Sequence, residues 1–276
     1  MTLSVSILLL SIPIISNGFS LSHEKLQSTA QYYDNELTYQ VCGRDTTPGK
    51  VPFYASIELQ NQKWHYKYCS GVLIANRWVL TLGYCKLGSR GSIRVDLGDE
   101  WNNKTIAVEK IYMHPDFNQE KNNIALLLLK EPVQFSRNIQ PICLPEPGQD
   151  ETFYGRYGKV TGFKKLDPWE RKLPSNMQIT TSPIIRSDDC GDSYAKVGWN
   201  KSITESFMCA GYSNDVKDVF IPHLGNSLMV NVENNWILAG ISMYNVPCQD
   251  AVSPRIYRTR FVRVGFYLDW IKRTVY

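Results

Sequence analysis

Hydrophobic residues in the chain after Pro52 fall into short runs that are separated by turns. Some runs alternate with polar residues and others are fully apolar: 53–59, 71–74, 78–82, 92–97, 106–112, 124–129, 158–162, 228–232 and 236–243. Runs of this length and spacing are typical of the strands of β-sandwiches and β-barrels. The pattern therefore predicts an all-β body.

The last segment has a different period. Val264, Tyr267, Leu268 and Ile271 follow the i, i+3, i+4, i+7 spacing of one helical face. We therefore expect a C-terminal α-helix to follow the strands.

The N-terminus contains an uncharged apolar run at 5–15. A run of this length is too short to span a membrane and is typical of the apolar part of a secretory signal, although no positive side chain precedes it. We predict a signal peptide at 1–18, a polar leader at 19–41 and one domain at 42–276; a buried strand is the alternative for the apolar run. No other segment is long and apolar enough to span a bilayer.

Composition narrows the possible functions. The net charge of +4 over 276 residues is mild, so nucleic-acid binding, which needs a concentrated basic face, is not predicted. No cofactor or metal site is predicted. The seven cysteines should mostly form disulfides after secretion, with one left over. The sequons at Asn103 and Asn200 are candidate glycosylation sites.

Several motifs occur in the order found in one enzyme family. They are the stretch 69–85 (CSGVLIANRWVLTLGYC), 122–127 (NNIALL), 139–145 (IQPICLP), 160–162 (VTG), 208–212 (MCAGY), 240–241 (GI) and 268–271 (LDWI). Together they resemble the trypsin and chymotrypsin family of serine proteases, closest in style to its tryptase-like and testis-type branches, where inactive members occur. The resemblance implies two six-stranded antiparallel β-barrels with a cleft between them.

The catalytic positions implied by the resemblance carry other residues. Family members use a serine nucleophile, a histidine base and a carboxylate that orients the histidine. Here Tyr84 stands at the histidine position, Asn123 at the carboxylate position and Leu224 at the serine position. A phenol, with a usual pKa of ~10, is no general base near neutral pH, and leucine has no nucleophilic atom. We therefore expect that the chain is not an enzyme.

The segment 218–228 matches the family's D-x-C-x-G-D-S-G-G-P-L motif. In this register Pro222 replaces the glycine whose N–H helps to form the oxyanion hole, and proline has no N–H. His223 replaces the aspartate that receives the new N-terminal amine after activation. A three-residue slip would instead place Ser227 at the nucleophile position, but it would break the spacing to the motifs that follow.

The activation site implied by the resemblance is also altered. Counting back from Pro52, residues 40–43 match the family's new N-terminus, and Tyr39 precedes them in place of Arg or Lys. No trypsin-type cleavage is therefore expected there. Cleavage elsewhere, for example after Arg44 or Lys50, is the alternative.

The specificity pocket retains one charged residue. Asp218 matches the aspartate that gives trypsin its preference for Arg and Lys, whereas Asn245 and Arg255 match two glycines that keep the pocket open. We hypothesise that Arg255 pairs with Asp218 and fills the pocket. The alternative is that Arg255 extends into solvent, as long basic side chains readily do.

The resemblance implies three disulfides, which are Cys69–Cys85, Cys190–Cys209 and Cys42–Cys143. Cys248 is the remaining cysteine, because Phe220 stands where its family partner would be. We expect it to be free and buried, or bonded to another chain. A further family disulfide is absent at both positions, Gly158 and Val230.

These features favour a secreted, non-catalytic binding or regulatory protein whose protein partner is unknown. One alternative is a polyanion- or heparin-binding protein, because alternate strand residues would place part of a basic set on one exposed face. That set is Arg255, Arg258, Arg260, Arg263, Lys272 and Arg273. A solvated basic face is the commoner explanation. The least favoured alternative is a residual hydrolase.

Overall fold

Six antiparallel strands close into the first barrel. The computed structural model describes residues 42–44, 50–60, 65–85, 92–98, 103–118, 121–164, 177–195, 204–211, 220–221, 224–248 and 256–276. The strands follow the order β1-β2-β3-β6-β5-β4 around the barrel. Their bounds are β1 Tyr54–Gln60, β2 His65–Ala75, β3 Trp78–Thr81, β4 Ser92–Gly98, β5 Asn103–Met113 and β6 Ala125–Leu129.

The apolar runs of this barrel supply its core. β3 and β6 pair from Trp78↔Leu128 to Thr81↔Ala125, and β3 is buried throughout. Ile57, Leu73 and Leu126 are fully buried in the same cluster. Short strands with continuous apolar sequence are stable here because burial of their side chains offsets the entropy of ordering them.

The second barrel is built from the later strands. These are β7 Tyr157–Lys164, β8 Met177–Ile185, β9 Phe207–Gly211, β11 Ser227–Val232, β12 Asn235–Cys248 and β13 Ile256–Arg263. They follow the order β7-β11-β12-β13-β9-β8, and β8 pairs back to β7 to close the ring. A two-residue strand, β10 Phe220–Ile221, pairs with the end of β7.

Alternate residues of the second barrel face two different cores. On β11, Leu228 and Val230 belong to the cluster inside this barrel. Met229 lies between them and belongs to the cluster that contains the first barrel's core. Because strand side chains alternate between faces, one strand packs both the barrel interior and the junction of the two barrels. The two-barrel fold predicted from the sequence is confirmed.

Two α-helices accompany the barrels in the part of the chain that the structure describes. α1, Ser187–Ala195, was not expected, since its sequence is polar and has no apolar period. Two acidic residues in its first turn favour a helix by interacting with its dipole, and Cys190 anchors it to β9. The predicted C-terminal helix is α2, Leu268–Val275, preceded by a 3-10 turn over Val264–Tyr267.

The four residues of the predicted C-terminal helical face, from Val264 to Ile271, are all buried. Neither helix, nor any other within the described ranges, has the length and apolar character needed to cross a membrane.

Three disulfides tie the described elements together. They are Cys42–Cys143, Cys69–Cys85 and Cys190–Cys209, the same pairs that the family resemblance implies. Gly158 and Val230, the positions of the absent family disulfide, lie on β7 and β11, and Val230 is buried in the second barrel.

Candidate functional site

Tyr84 lies on a short 3-10 turn, Gly83–Cys85, that follows β3. The disulfide of Cys85 with Cys69 fixes the end of this turn. A Cβ atom on Gly83 would lie 2.6 Å from the ring of Phe117, so the turn can pack this closely on the ring only with glycine. The Tyr84 side chain is 47% exposed, which leaves its phenol available to a bound molecule.

Asn123 is buried beneath that turn. Its Oδ1 atom accepts a hydrogen bond of 2.7 Å from the backbone N–H of Tyr84. The preceding residue, Asn122, has a φ of 51° and accepts a 3.1 Å hydrogen bond from the Tyr267 hydroxyl. A neutral amide can be buried here at lower desolvation cost than a carboxylate that lacks a cationic partner. Asn123 therefore holds the backbone that carries Tyr84.

Leu224 lies where the chain enters β11. Its carbonyl oxygen accepts a 2.8 Å hydrogen bond from the N–H of Ser70, and its half-buried side chain packs against the cluster that contains the first barrel's core. Gly225 has a φ of +88°, and a Cβ atom there would lie 1.8 Å from the Ser70 oxygen. Only glycine allows this close approach of the two backbones.

The contacts of Ser70 place the three positions in one neighbourhood. Ser70 follows Cys69, whose disulfide partner Cys85 adjoins Tyr84. Thr81, at the end of β3, donates a 2.8 Å hydrogen bond to the Ser70 carbonyl. The site thus presents an exposed phenol and an aliphatic side chain, while the Asn123 oxygen is already engaged with backbone. Such groups can offer apolar contact and a hydrogen bond to a partner.

Ser227, the nucleophile in the alternative register, faces the protein interior. Its side chain is buried, and its Oγ lies 3.1 Å from the Thr161 hydroxyl oxygen. Its backbone N–H donates to the same Thr161 oxygen. This hydroxyl is therefore not accessible to a molecule bound at the surface.

Residues 42–44, at the start of the predicted domain, are anchored to the second barrel. Beside the Cys42–Cys143 disulfide, the Gly43 N–H donates to the Pro141 carbonyl over 2.8 Å, and the Trp236 N–H donates to the Gly43 carbonyl over 2.7 Å. Cys42 and Gly43, the two described residues of the stretch 40–43, thus belong to an anchor. Arg44, one of the two alternative cleavage sites, is the last described residue of this anchor, and residues 45–49 separate it from Lys50, the other site.

Two members of the basic set near the C-terminus, Arg260 and Arg263, are engaged with other residues. Arg260 is buried, with its guanidinium 3.5 Å from the centre of the Phe207 ring. Arg263 donates to Asp150 and, over 2.5 Å, to Glu151. Burial would lower the pKa of Arg263, but the hydrogen bond and charge of Asp150 outweigh that effect and raise it. Neither arginine is therefore available to an exposed basic face.

Other predicted residues lie outside the described residues. These are Asp218, Pro222, His223, Arg255 and Asn200, together with the side chains of Asn245, Cys248, Phe220 and Arg258.

Asn103 is the exposed first residue of β5, and its sequon threonine, Thr105, donates a 2.5 Å hydrogen bond to Asp96. Within the described ranges, no group of three or more His, Cys, Asp or Glu side chains could hold a metal ion.

Comparison with known proteins agrees with this architecture. The family model described as Trypsin matches residues 40–271. The "Serine protease filzig" of Drosophila melanogaster is 31% identical over 247 residues, an alignment that covers 84% of this chain and 14% of the relative. The chain thus spans a small part of the length of that relative.

Proposed function

Since the chain belongs to the trypsin family of serine proteases, we propose that it is a non-catalytic member that binds a protein partner at the cleft between its barrels. The observation that carries the proposal is Leu224. Its carbonyl bond to Ser70 and the close approach of Gly225 fix the main chain there, and the side chain at that position has no nucleophilic atom.

The magnitudes support loss of catalysis. Removal of one member of a catalytic triad can lower turnover by about 10⁶, and removal of one oxyanion donor by about 10²–10³. Catalytic groups are also missing at Tyr84, Asn123 and Pro222, besides the missing nucleophile at Leu224. The resulting losses of rate are not additive, but each alone is nearly disabling.

Tyr84 is the residue that we propose for partner binding. Half-exposed tyrosines combine an apolar ring with a hydrogen-bonding hydroxyl and are enriched among residues that dominate binding energy. The Cys69–Cys85 disulfide and the Asn123 hydrogen bond hold the backbone that carries the ring. A preorganised backbone loses less entropy on binding.

We propose that the protein is secreted and acts outside the cell. Three disulfides suit an oxidising compartment, and the apolar run at 5–15 suits a signal peptide. Glycans on Asn103 and Asn200 belong to the same proposal. The exposure of Asn103 at the start of β5 supports the first of them.

A serine-directed fluorophosphonate probe tests the loss of catalysis. The purified secreted protein should remain unlabelled and should leave a library of peptide substrates intact, with trypsin as the positive control. A labelled serine in this chain would contradict the proposal.

Affinity capture from the native fluid tests partner binding. A partner retained by the unsubstituted protein should be retained less by Tyr84→Ala. Tyr157→Ala is the matched control, because Tyr157 is 71% exposed on β7 and is not at the site. Equal retention by both variants and the unsubstituted protein would exclude Tyr84 as a contact.

A further inference from the structure

Two polar side chains lie directly behind Leu224. Asn226 and Ser227 stand where the matched family motif has a glycine and a proline. Both are buried, with Asn226 at 0% exposure. The chain has therefore placed an amide and a hydroxyl in the interior, while the nucleophile position in front of them has become aliphatic.

The hydroxyl has a protein partner, but the amide does not. Ser227 pairs with Thr161, as described above. The backbone of Asn226 is also satisfied, because its N–H donates to the Ser242 hydroxyl over 3.1 Å and its carbonyl accepts the Ser242 N–H over 2.8 Å. The side-chain Oδ1 and Nδ2 atoms of Asn226 are both buried without a hydrogen-bond partner.

The main chain cannot turn this amide towards solvent. Gly225, the preceding residue, donates its N–H to the Ser242 carbonyl over 2.9 Å and lies against the Ser70 backbone. The Leu224 carbonyl also accepts a hydrogen bond from the Ser70 N–H. Asn226 is therefore held between β12 and the first barrel, where its amide offers two donors and an acceptor to the interior.

We propose that the Asn226 amide is the binding site of an internal water molecule at the junction of the two barrels. Buried amides in native proteins are almost always hydrogen-bonded, and ordered water completes those that protein groups do not reach. The inference goes beyond the proposed function and does not depend on it, because it concerns the residues behind the cleft.

A high-resolution crystal structure of the secreted protein tests this site directly. We expect an ordered water within about 3.2 Å of Asn226 Oδ1 or Nδ2. A direct hydrogen bond from the amide to a protein group, or an amide with no neighbour of either kind, would overturn the proposal.

Oxygen-17 relaxation dispersion, which counts long-lived internal waters, provides a test in solution. Asn226→Leu has similar volume but no polar atoms and should lose at least one long-lived water. Thr161→Val is the matched control, because it removes a buried hydroxyl that already has a protein partner, and it should lose none. An unchanged count in Asn226→Leu would contradict the proposal. If that variant does not fold, the crystal structure of the unsubstituted protein still decides.

Discussion

At the scale of single residues, Asn123 has a structural role, because it holds the turn that carries Tyr84. In the family motif the position carries a carboxylate that orients a histidine. Here it carries an amide whose oxygen accepts the Tyr84 N–H. The side chain lies beneath the turn, and its partner is the main chain.

Replacement of Asn123 should therefore affect stability. Asn123→Ala leaves the Tyr84 N–H without its acceptor and should lower the free energy of unfolding by about 1–3 kcal/mol. Tyr84→Ala keeps the backbone N–H, removes a half-exposed ring and should change it by about 0.5 kcal/mol or less. Denaturant unfolding of both variants measures the difference, and equal effects would show that the hydrogen bond has no special role.

His114 should make stability depend on pH. Its ring packs against Tyr267 and Trp270 at centroid distances of 5.6 and 5.3 Å, and its Nδ1 accepts the Asp116 N–H. Burial lowers the pKa of His114, although the charge of Asp116 partly opposes this. The unfolded chain, with a histidine pKa of about 6.5, then binds more protons than the folded chain as pH falls below that value.

The free energy of unfolding should consequently decrease as pH falls from about 7 through 6.5 towards the lower pKa of the folded state, and His114 should add no further loss below it. His114→Phe keeps a ring between the two aromatic residues and removes the titration. Its stability should fall less over that interval than that of the unsubstituted protein. Parallel curves for the two proteins would exclude His114 as the source.

At the scale of elements, one buried ion pair links the 3-10 turn at Gln149–Phe153 to the end of β13. Asp150 and Arg263 have side-chain exposures of 2% and 11%. Asp150→Ala would leave the guanidinium partly buried without its main partner and should cost about 3–5 kcal/mol. Adding Arg263→Met should recover part of that loss, because the uncompensated charge is then removed.

An exposed pair serves as the control for this prediction. Arg77 and Glu109 are 32% and 52% exposed, and Arg77 also bonds to the Leu129 carbonyl. Glu109→Ala should cost about 0–1 kcal/mol. Thermal unfolding monitored by circular dichroism compares the two substitutions. Similar losses would mean that the Asp150 pair stabilises no more than a surface contact.

The elements that were predicted from the sequence are those whose own residues are mostly apolar, because such residues are buried in the fold. β3 and β6 are short apolar runs and were predicted within one residue. β13, Ile256–Arg263, was not among the predicted apolar runs, because three arginines interrupt it; only the basic-face alternative treated these residues as a strand. Arg260 is instead buried over Phe207 of β9, a contact that the pairing of β13 with β9 provides. α1 was missed for a related reason, since a disulfide and not an apolar face anchors it.

At the scale of the whole molecule, the order of the motifs predicts which residues stand at the catalytic positions, whereas tertiary contacts determine what those residues do. The sequence could place Asn123 and Leu224 in register. It could not show that Asn123 bonds the turn of Tyr84, that Leu224 is tied to Ser70, or that the Asn226 amide lacks a protein partner. The anchor at residues 42–44 likewise depends on the hydrogen bond between Gly43 and Trp236, which are distant in sequence.

The account holds that this molecule lost a set of catalytic groups and not one nucleophile. Peptide hydrolysis by the Leu224→Ser variant tests that claim most directly, with the unsubstituted protein assayed beside it. Since Tyr84, Asn123 and Pro222 would remain, the restored serine would have no base, no orienting carboxylate and no complete oxyanion hole. We expect no turnover above the unsubstituted protein, and measurable hydrolysis by this single variant would contradict the account.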